Sequence, residues 1–215
     1  MVNDYLEKQK ENFNKDGVWD SPQKLAKDRN LISASWRKEH EGNPEYWDIL
    51  LKDLKKKEIW KGKKVLDYGS GFGGNLEHLL KLVEWGEVVG YDISSEFVKF
   101  SIEYLKQLGF PSEKFSVYET KGDCLDQTTD GYFDFIMSYT VLQHIALYSV
   151  RYKILEEFYR TLKLEGILSF QMNTTDGVSY YTTEWNGQGR PNCKVSDPKQ
   201  VVKDLEKIGF KNISY

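Results

Sequence analysis

The stretch VLDYGSGFGGN, from Val65 to Asn75, constrains the fold more than any other part of this sequence. A short apolar run enters it. An amphipathic run leaves it, with Leu76, Leu79, Leu80 and Val83 at helical spacing. Between the two runs lie Gly69, Gly71, Gly73 and Gly74. Glycine is favoured where the backbone must take a positive φ or come close to a neighbour. Strand, glycine turn and helix in that order open a parallel α/β sheet.

The alternation then repeats. EVVGYD (87–92) reads as a strand, and Ser94 or Ser95 caps a helix carrying Phe97, Val98, Tyr104, Leu105 and Leu108, stopped by Gly109. FSVYE (115–119) and FDFIMS (133–138) are two more strands. Ser149 opens a helix with Ile154, Leu155, Phe158 and Leu162 inward, and GILSFQM (166–172) is a fifth strand. Residues 173–195 form a long connection rich in Tyr, Trp, Asn and Gly, of a length that carries binding in many α/β proteins or else folds as an edge hairpin. Asp197-Pro198 starts a last helix, Gly209 ends it, and FKNISY (210–215) reads as a sixth strand. The pattern predicts a doubly wound, mainly parallel α/β sheet covered on both faces.

Residues 1–62 differ in character. Val2, Tyr5, Leu6, Gln9 and Phe13 share a helical face, while Ser21-Pro22 and Asn43-Pro44 each read as a helix start. The length of 215 residues suits one domain: an N-terminal helical cap over 1–62 and an α/β core over 63–215. Trp19, Trp36 and Trp47 are either ordinary core of the cap or part of a lid over the strand ends.

Composition narrows the function. Thirty basic and 33 acidic side chains leave a net charge of −3, which gives no whole-molecule attraction to nucleic acid or to a membrane. Cys124 and Cys193 form no CxxC pair and are expected as reduced thiols, so the expected location is cytoplasmic. No metal-ligand pattern stands out. The first residues contain no apolar signal-peptide core, and no stretch approaches the roughly 18 apolar residues that span a bilayer.

Ligands of such sheets bind at the carboxyl ends of the strands, at the switch point, where the glycine turn lies. Gly69, Gly71 and Gly74 satisfy the G-x-G-x-x-G spacing of a dinucleotide site, but that spacing alone is weak. Asp67 stands just before the turn, where a pyrophosphate would be repelled and an ammonium welcomed. Asp92 ends the second strand, where an acid can accept from ribose hydroxyls. Asp123, in GDCLD after the third strand, can accept from an adenine amino group while the Cys124 N–H donates to the ring. Ammonium, ribose and adenine together describe S-adenosylmethionine.

The motifs VLDYGSGFGG, VVGYDIS, GDCLD, FDFIMSYTVLQHI and FYRTLKLEGILSF cover about 65–172. In that order and spacing they resemble the class I, S-adenosylmethionine-dependent methyltransferases. The resemblance implies a Rossmann-like fold and the methionyl end of the cofactor against Asp67, Gly69, Ser70 and Gly71. It places ribose at Asp92, adenine near Ile93, Asp123 and Cys124, and Tyr139 beside the transferred methyl. It also leads us to expect a further, antiparallel strand after the sixth. Without that strand, 210–215 would be an edge open to a neighbouring copy, as in a homodimer.

The stretch SYTVLQHI, after the fourth strand, lacks the Asn/Asp-Pro-Pro-aromatic motif and the Pro-Cys nucleophile expected for nucleobase methylation. The acceptor class that remains foremost is a small molecule methylated on oxygen or nitrogen. His144 is the histidine placed to face an acceptor, either as general base or as a residue shaping the methionine pocket. Two other readings stay open: a non-catalytic cofactor- or partner-binding protein on the same fold, and a dinucleotide-dependent oxidoreductase.

Overall fold

The structure is a computed structural model and describes residues 2–14, 54, 57–175, 177–185 and 193–215. Five segments pair in parallel: β1 (Lys64–Tyr68), β2 (Glu87–Asp92), β3 (Phe115–Glu119), β4 (Phe133–Ser138) and β5 (Leu162–Phe170). Their spatial order is β3-β2-β1-β4-β5. The chain steps outward from β1 to β3, then returns to the far side of β1 to add β4. The switch point therefore lies between β1 and β4, beside the glycine turn.

Period-two alternation along each strand divides the core into two layers. On one face Val65, Val88, Phe135 and Met137 pack with Leu76 and Leu79 of α3 (Gly74–Leu82) and with Phe100, Tyr104 and Leu105 of α4 (Ser95–Gln107). Leu54 and Trp60, the latter in α2 (Lys57–Trp60), join the same layer. On the other face Leu66, Val89, Tyr91 and Ile136 meet Ile154, Leu155 and Phe158 of α5 (Tyr148–Thr161) and Val201 and Leu205 of α6 (Lys199–Ile208). Phe133 and Phe135 are two residues apart yet fall in opposite layers. The pairing of β4 with β5 is irregular between them, with the extra residues on the β5 side.

Two of the expected start signals act as expected, whereas Ser149 lies inside α5, which begins at Tyr148 after Leu147 with no side-chain cap. Ser94 caps α4, its hydroxyl accepting from the Phe97 N–H at 3.2 Å. Asp197 accepts from the Lys199 N–H at 2.9 Å and opens α6. At the N-terminus Tyr5, Leu6 and Gln9 form the buried stripe of α1 (Val2–Asn14). The helix starts expected at Ser21-Pro22 and Asn43-Pro44, together with Trp19, Trp36, Trp47 and His40, lie outside the described residues.

Two expectations are corrected. Residues 210–215 are not a strand. The Gly209 and Phe210 N–H groups both turn back to the Leu205 carbonyl and finish α6, and Asn212 takes a φ of +55°, which breaks an extended run. Phe210 and Ile213 still pack, partly buried, on the core, so the apolar residues of this segment mark burial without a ladder. In 173–195 the edge hairpin is absent among the described residues. Instead β6 (Val178–Ser179) and β7 (Cys193–Lys194) pair in parallel, apart from the main sheet.

Candidate functional site

The glycine turn is fastened to the end of β2. The Gly69 and Ser70 N–H groups both donate to the Tyr91 carbonyl, at 2.7 and 3.0 Å. The Gly71 N–H donates to Asp92 Oδ2 at 2.8 Å, and the Gly73 N–H to the Ser70 carbonyl at 3.0 Å. Gly69, with φ of +78°, has the Val141 side chain where a Cβ would stand, at 2.1 Å. Gly90 in β2 is equally constrained: a Cβ there would meet the Ser70 hydroxyl at 2.8 Å and the Leu76 methyl at 2.9 Å.

The turn forms one wall of a cleft enclosing about 770 Å³ with its open mouth included. Gly69, Gly71, Asp92, Ile93 and His144 all line it, so the structure brings these expected residues together. Asp67, Ser70, Asp123, Cys124 and Tyr139 are not on its wall. Asp67 points to the opposite face of the sheet, where Asn75 of α3 donates to it at 3.4 Å. Tyr139 packs in that same layer. Asp123 forms an ion pair with Lys153 at 2.8 Å. Burial pushes the Cys124 thiol up, so it is no ready nucleophile.

Other wall residues were not assigned from the sequence. Tyr5, Leu6, Gln9 and Phe13 come from α1, and Tyr68, Thr120, Gly122 and Val141 from strand ends and loops. Helix α1 is fixed across the strand ends at three points. The Tyr5 hydroxyl accepts from the Ala146 N–H at 2.8 Å, Lys10 pairs with Glu119, and Asn14 accepts from the Ser94 hydroxyl at 2.5 Å. Opposite α1, a single helical turn over Leu142–His144 presents His144. Below it the buried Arg151 donates to the carbonyls of Ile145, Ala146 and Tyr180 and so ties that loop down.

Electrostatics set this region apart. Asp92 has two backbone donors, Gly71 N–H and Ser94 N–H at 2.8 Å each. Burial still lifts its carboxyl to about 6, those donors only partly opposing the shift. Asp67 is 0% exposed, and burial lifts it to about 7 against the Asn75 hydrogen bond, with Asp92 adding to the rise. Asp67 Oδ2, Ser70 Oγ and Gln9 Nε2 are buried without a hydrogen-bond partner. Unpaired polar atoms in and beside one cleft are the pattern left when the partners arrive with a ligand.

A raised carboxyl pKa carries a sign. Relative to an unfolded value near 3.8, Asp67 favours folding while both states hold the proton, and that benefit is lost as pH rises from about 4 through about 7. The Asp67→Asn variant removes this proton. In urea unfolding of the ligand-free protein, stability should fall less between pH 5 and pH 8 in the variant than in the wild type. Equal changes in the two proteins would mean that Asp67 ionises freely when folded.

A doubly wound sheet with a glycine turn at its switch point and an acid closing β2 defines a nucleoside-cofactor-binding domain of the Rossmann-like class. Residues 66–170 match the family model described as a methyltransferase domain. That stretch is similar to methyltransferase domains and covers 105 of the chain's 215 residues. An uncharacterized protein of Haemophilus influenzae is 30% identical over 110 residues, 51% of this chain and 42% of its own length. Juvenile hormone acid O-methyltransferase of Bombyx mori is 29% identical over 182 residues, 76% of this chain and 63% of its own. The chain thus spans less than two thirds of either curated relative. Among solved structures, a SAM-dependent methyltransferase from Aquifex aeolicus superposes with a TM-score of 0.54 at 24% identity, over 77% of this chain and 82% of that one. No described helix is long and apolar enough to cross a membrane.

Proposed function

We propose that this protein transfers a methyl group from S-adenosylmethionine to an oxygen or nitrogen of a small molecule. The observation that carries this reading is the placement of His144 on the wall of the same cleft as Gly69, Gly71 and Asp92. One cleft then holds the cofactor-side residues and a group able to take a proton near neutral pH. The Bombyx mori relative, by its name an acid O-methyltransferase, supports oxygen as the acceptor atom.

When bound, the cofactor supplies a methyl group on a positively charged sulfur. The rest falls to the chain's own residues. Asp92 presents its remaining lone pairs to the ribose hydroxyls. Leu6, Phe13 and Ile93 line the cleft with apolar surface that excludes water. His144 accepts the proton of a hydroxyl acceptor, or orients an amine. With Asp123 engaged by Lys153, adenine is recognised near Ile93 and Gly122 through apolar contact and backbone.

The geometry speaks against a pyrophosphate. A dinucleotide site turns the N–H groups of its glycine turn toward the anion, whereas here those of Gly69, Ser70 and Gly71 are occupied by Tyr91 and Asp92. The test is direct. The protein is incubated with methyl-labelled S-adenosylmethionine and pools of small acids, alcohols and amines, and labelled products are identified by mass spectrometry. Label on a small acid or alcohol is the expected result. Tight cofactor binding with no labelled product from any pool would favour a non-catalytic role, and label only on RNA or protein would overturn the acceptor class.

A further inference from the structure

Gln9 is out of place by composition. It lies on the buried stripe of α1, between Tyr5 and Leu6 on one side and Phe13 on the other, and all four line the cleft. It is only 4% exposed, and its Nε2 has no hydrogen-bond partner. A leucine or methionine would fill the same space without burying an amide. A buried donor left unpaired is costly, and such groups in folded proteins are nearly always satisfied by something.

The surroundings of α1 say what faces Gln9. Leu6 lies at the Ile93–Gly122 end of the cleft: a Cβ on Gly122 would stand 2.9 Å from both the Leu6 and the Ile93 methyls. Asn14, further along the helix, holds Ser94, whose own N–H is bound to Asp92. Gln9 sits between these anchors, along the stretch from Ile93 to Asp92.

We infer that the Gln9 side-chain amide donates a hydrogen bond to the adenosine half of the cofactor. This makes α1 a specificity-determining wall of the site and not just a cover. The inference rests on the cofactor assignment and on the ribose placed at Asp92. Nucleosides offer suitable acceptors in the ribose oxygens and the adenine ring nitrogens; the other end of the cofactor offers its carboxylate, and the two ligands of the test tell these apart.

The test compares wild type with Gln9→Met, which keeps the volume and removes the donor. Affinities for S-adenosylhomocysteine and for 5′-methylthioadenosine are measured by titration calorimetry, and melting temperatures without ligand by calorimetric scanning. Both ligands should bind about tenfold more weakly to the variant, because a buried donor–acceptor pair is lost. The melting temperature should hold or rise, because an unpaired amide has been replaced by an apolar group. Unchanged affinity for both ligands overturns the inference. So does a loss confined to S-adenosylhomocysteine, which would place the amide at the amino-acid end. A drop in melting temperature with affinity intact would show a purely structural amide and also overturns it. Should Gln9→Met fail to fold, Gln9→Asn keeps an amide but withdraws its reach, and must weaken both ligands. Wild type that binds neither ligand would sink the cofactor assignment itself, a result separable from all of these.

Discussion

A His144→Ala variant should turn over about 10²- to 10⁴-fold more slowly than wild type, with S-adenosylmethionine affinity nearly unchanged. That range is what a positioned general base typically contributes. The loop that carries His144 is held by a tight backbone frame. The His144 N–H closes a turn on the Val141 carbonyl at 2.8 Å, and Arg151 fixes the two carbonyls that follow it, Ile145 and Ala146. Removal of the side chain leaves those backbone bonds in place, so the cleft should keep its shape. The measurement is the pH dependence of turnover on an acceptor found by the labelling screen. Wild type should lose activity as pH falls and the imidazole takes up a proton, and the variant should lack that limb. If the variant binds cofactor weakly and keeps the wild-type pH profile, His144 shapes the pocket and is not a base. If neither changes, it belongs to neither role.

The frame of this site was legible from the sequence because it depends on short-range chemistry. The glycine turn is needed wherever β1 must bend sharply against β2, and the Asp92 carboxylate closes β2 in register with it. Strand and helix periods were clear for the same reason: apolar side chains at spacing two or 3.6 leave few alternatives. The roof was harder to read. Tyr5, Leu6, Gln9 and Phe13 announce a helix with a buried face, but nothing local says which surface that face covers. Contacts such as Tyr5 with Ala146 and Lys10 with Glu119 link residues more than a hundred positions apart. An amide among aromatic and aliphatic neighbours was the available signal, and it passed as a helix residue like any other.

The differences between sequence and structure have a physical cause as well. FKNISY carries apolar residues because Phe210 and Ile213 are partly buried against the core, yet helix-end geometry at Gly209 claims the backbone first. Asp123 follows β3 much as an adenine-binding acid would, and Lys153 of α5 is close enough to take it as a partner. A lysine thirty positions away cannot be weighed from spacing. Asp67 was assigned by its position before the turn, and alternation along β1 turns it to the α3 face. Its unpaired oxygen, however, is what a ligand ammonium would satisfy.

Asp92→Ala should reduce S-adenosylmethionine affinity by ten- to a hundredfold, corresponding to the roughly 1.5–3 kcal/mol of a hydrogen bond to a charged group. The structure adds a second consequence. Asp92 accepts from the Gly71 and Ser94 N–H groups, so it fastens the glycine turn to the start of α4 as well as facing the cleft. Alanine leaves the buried Ser94 N–H unpaired, at about 1–3 kcal/mol, and releases the part-buried Gly71 N–H, so the ligand-free protein should unfold at lower urea concentration. Affinity and stability would then fall together, and the first could be blamed on the second. Asp92→Asn separates them. Its carbonyl oxygen still accepts one backbone bond and keeps the side-chain shape, so the loss of stability should be smaller than with alanine. Its amide, however, offers ribose a donor where the carboxylate offered an acceptor, so affinity should remain at least tenfold below wild type. Calorimetric titration on the asparagine variant, at a urea concentration where it is fully folded, is the deciding measurement. Wild-type affinity there would show that Asp92 serves only to hold the turn, and would move the ribose to another part of the cleft.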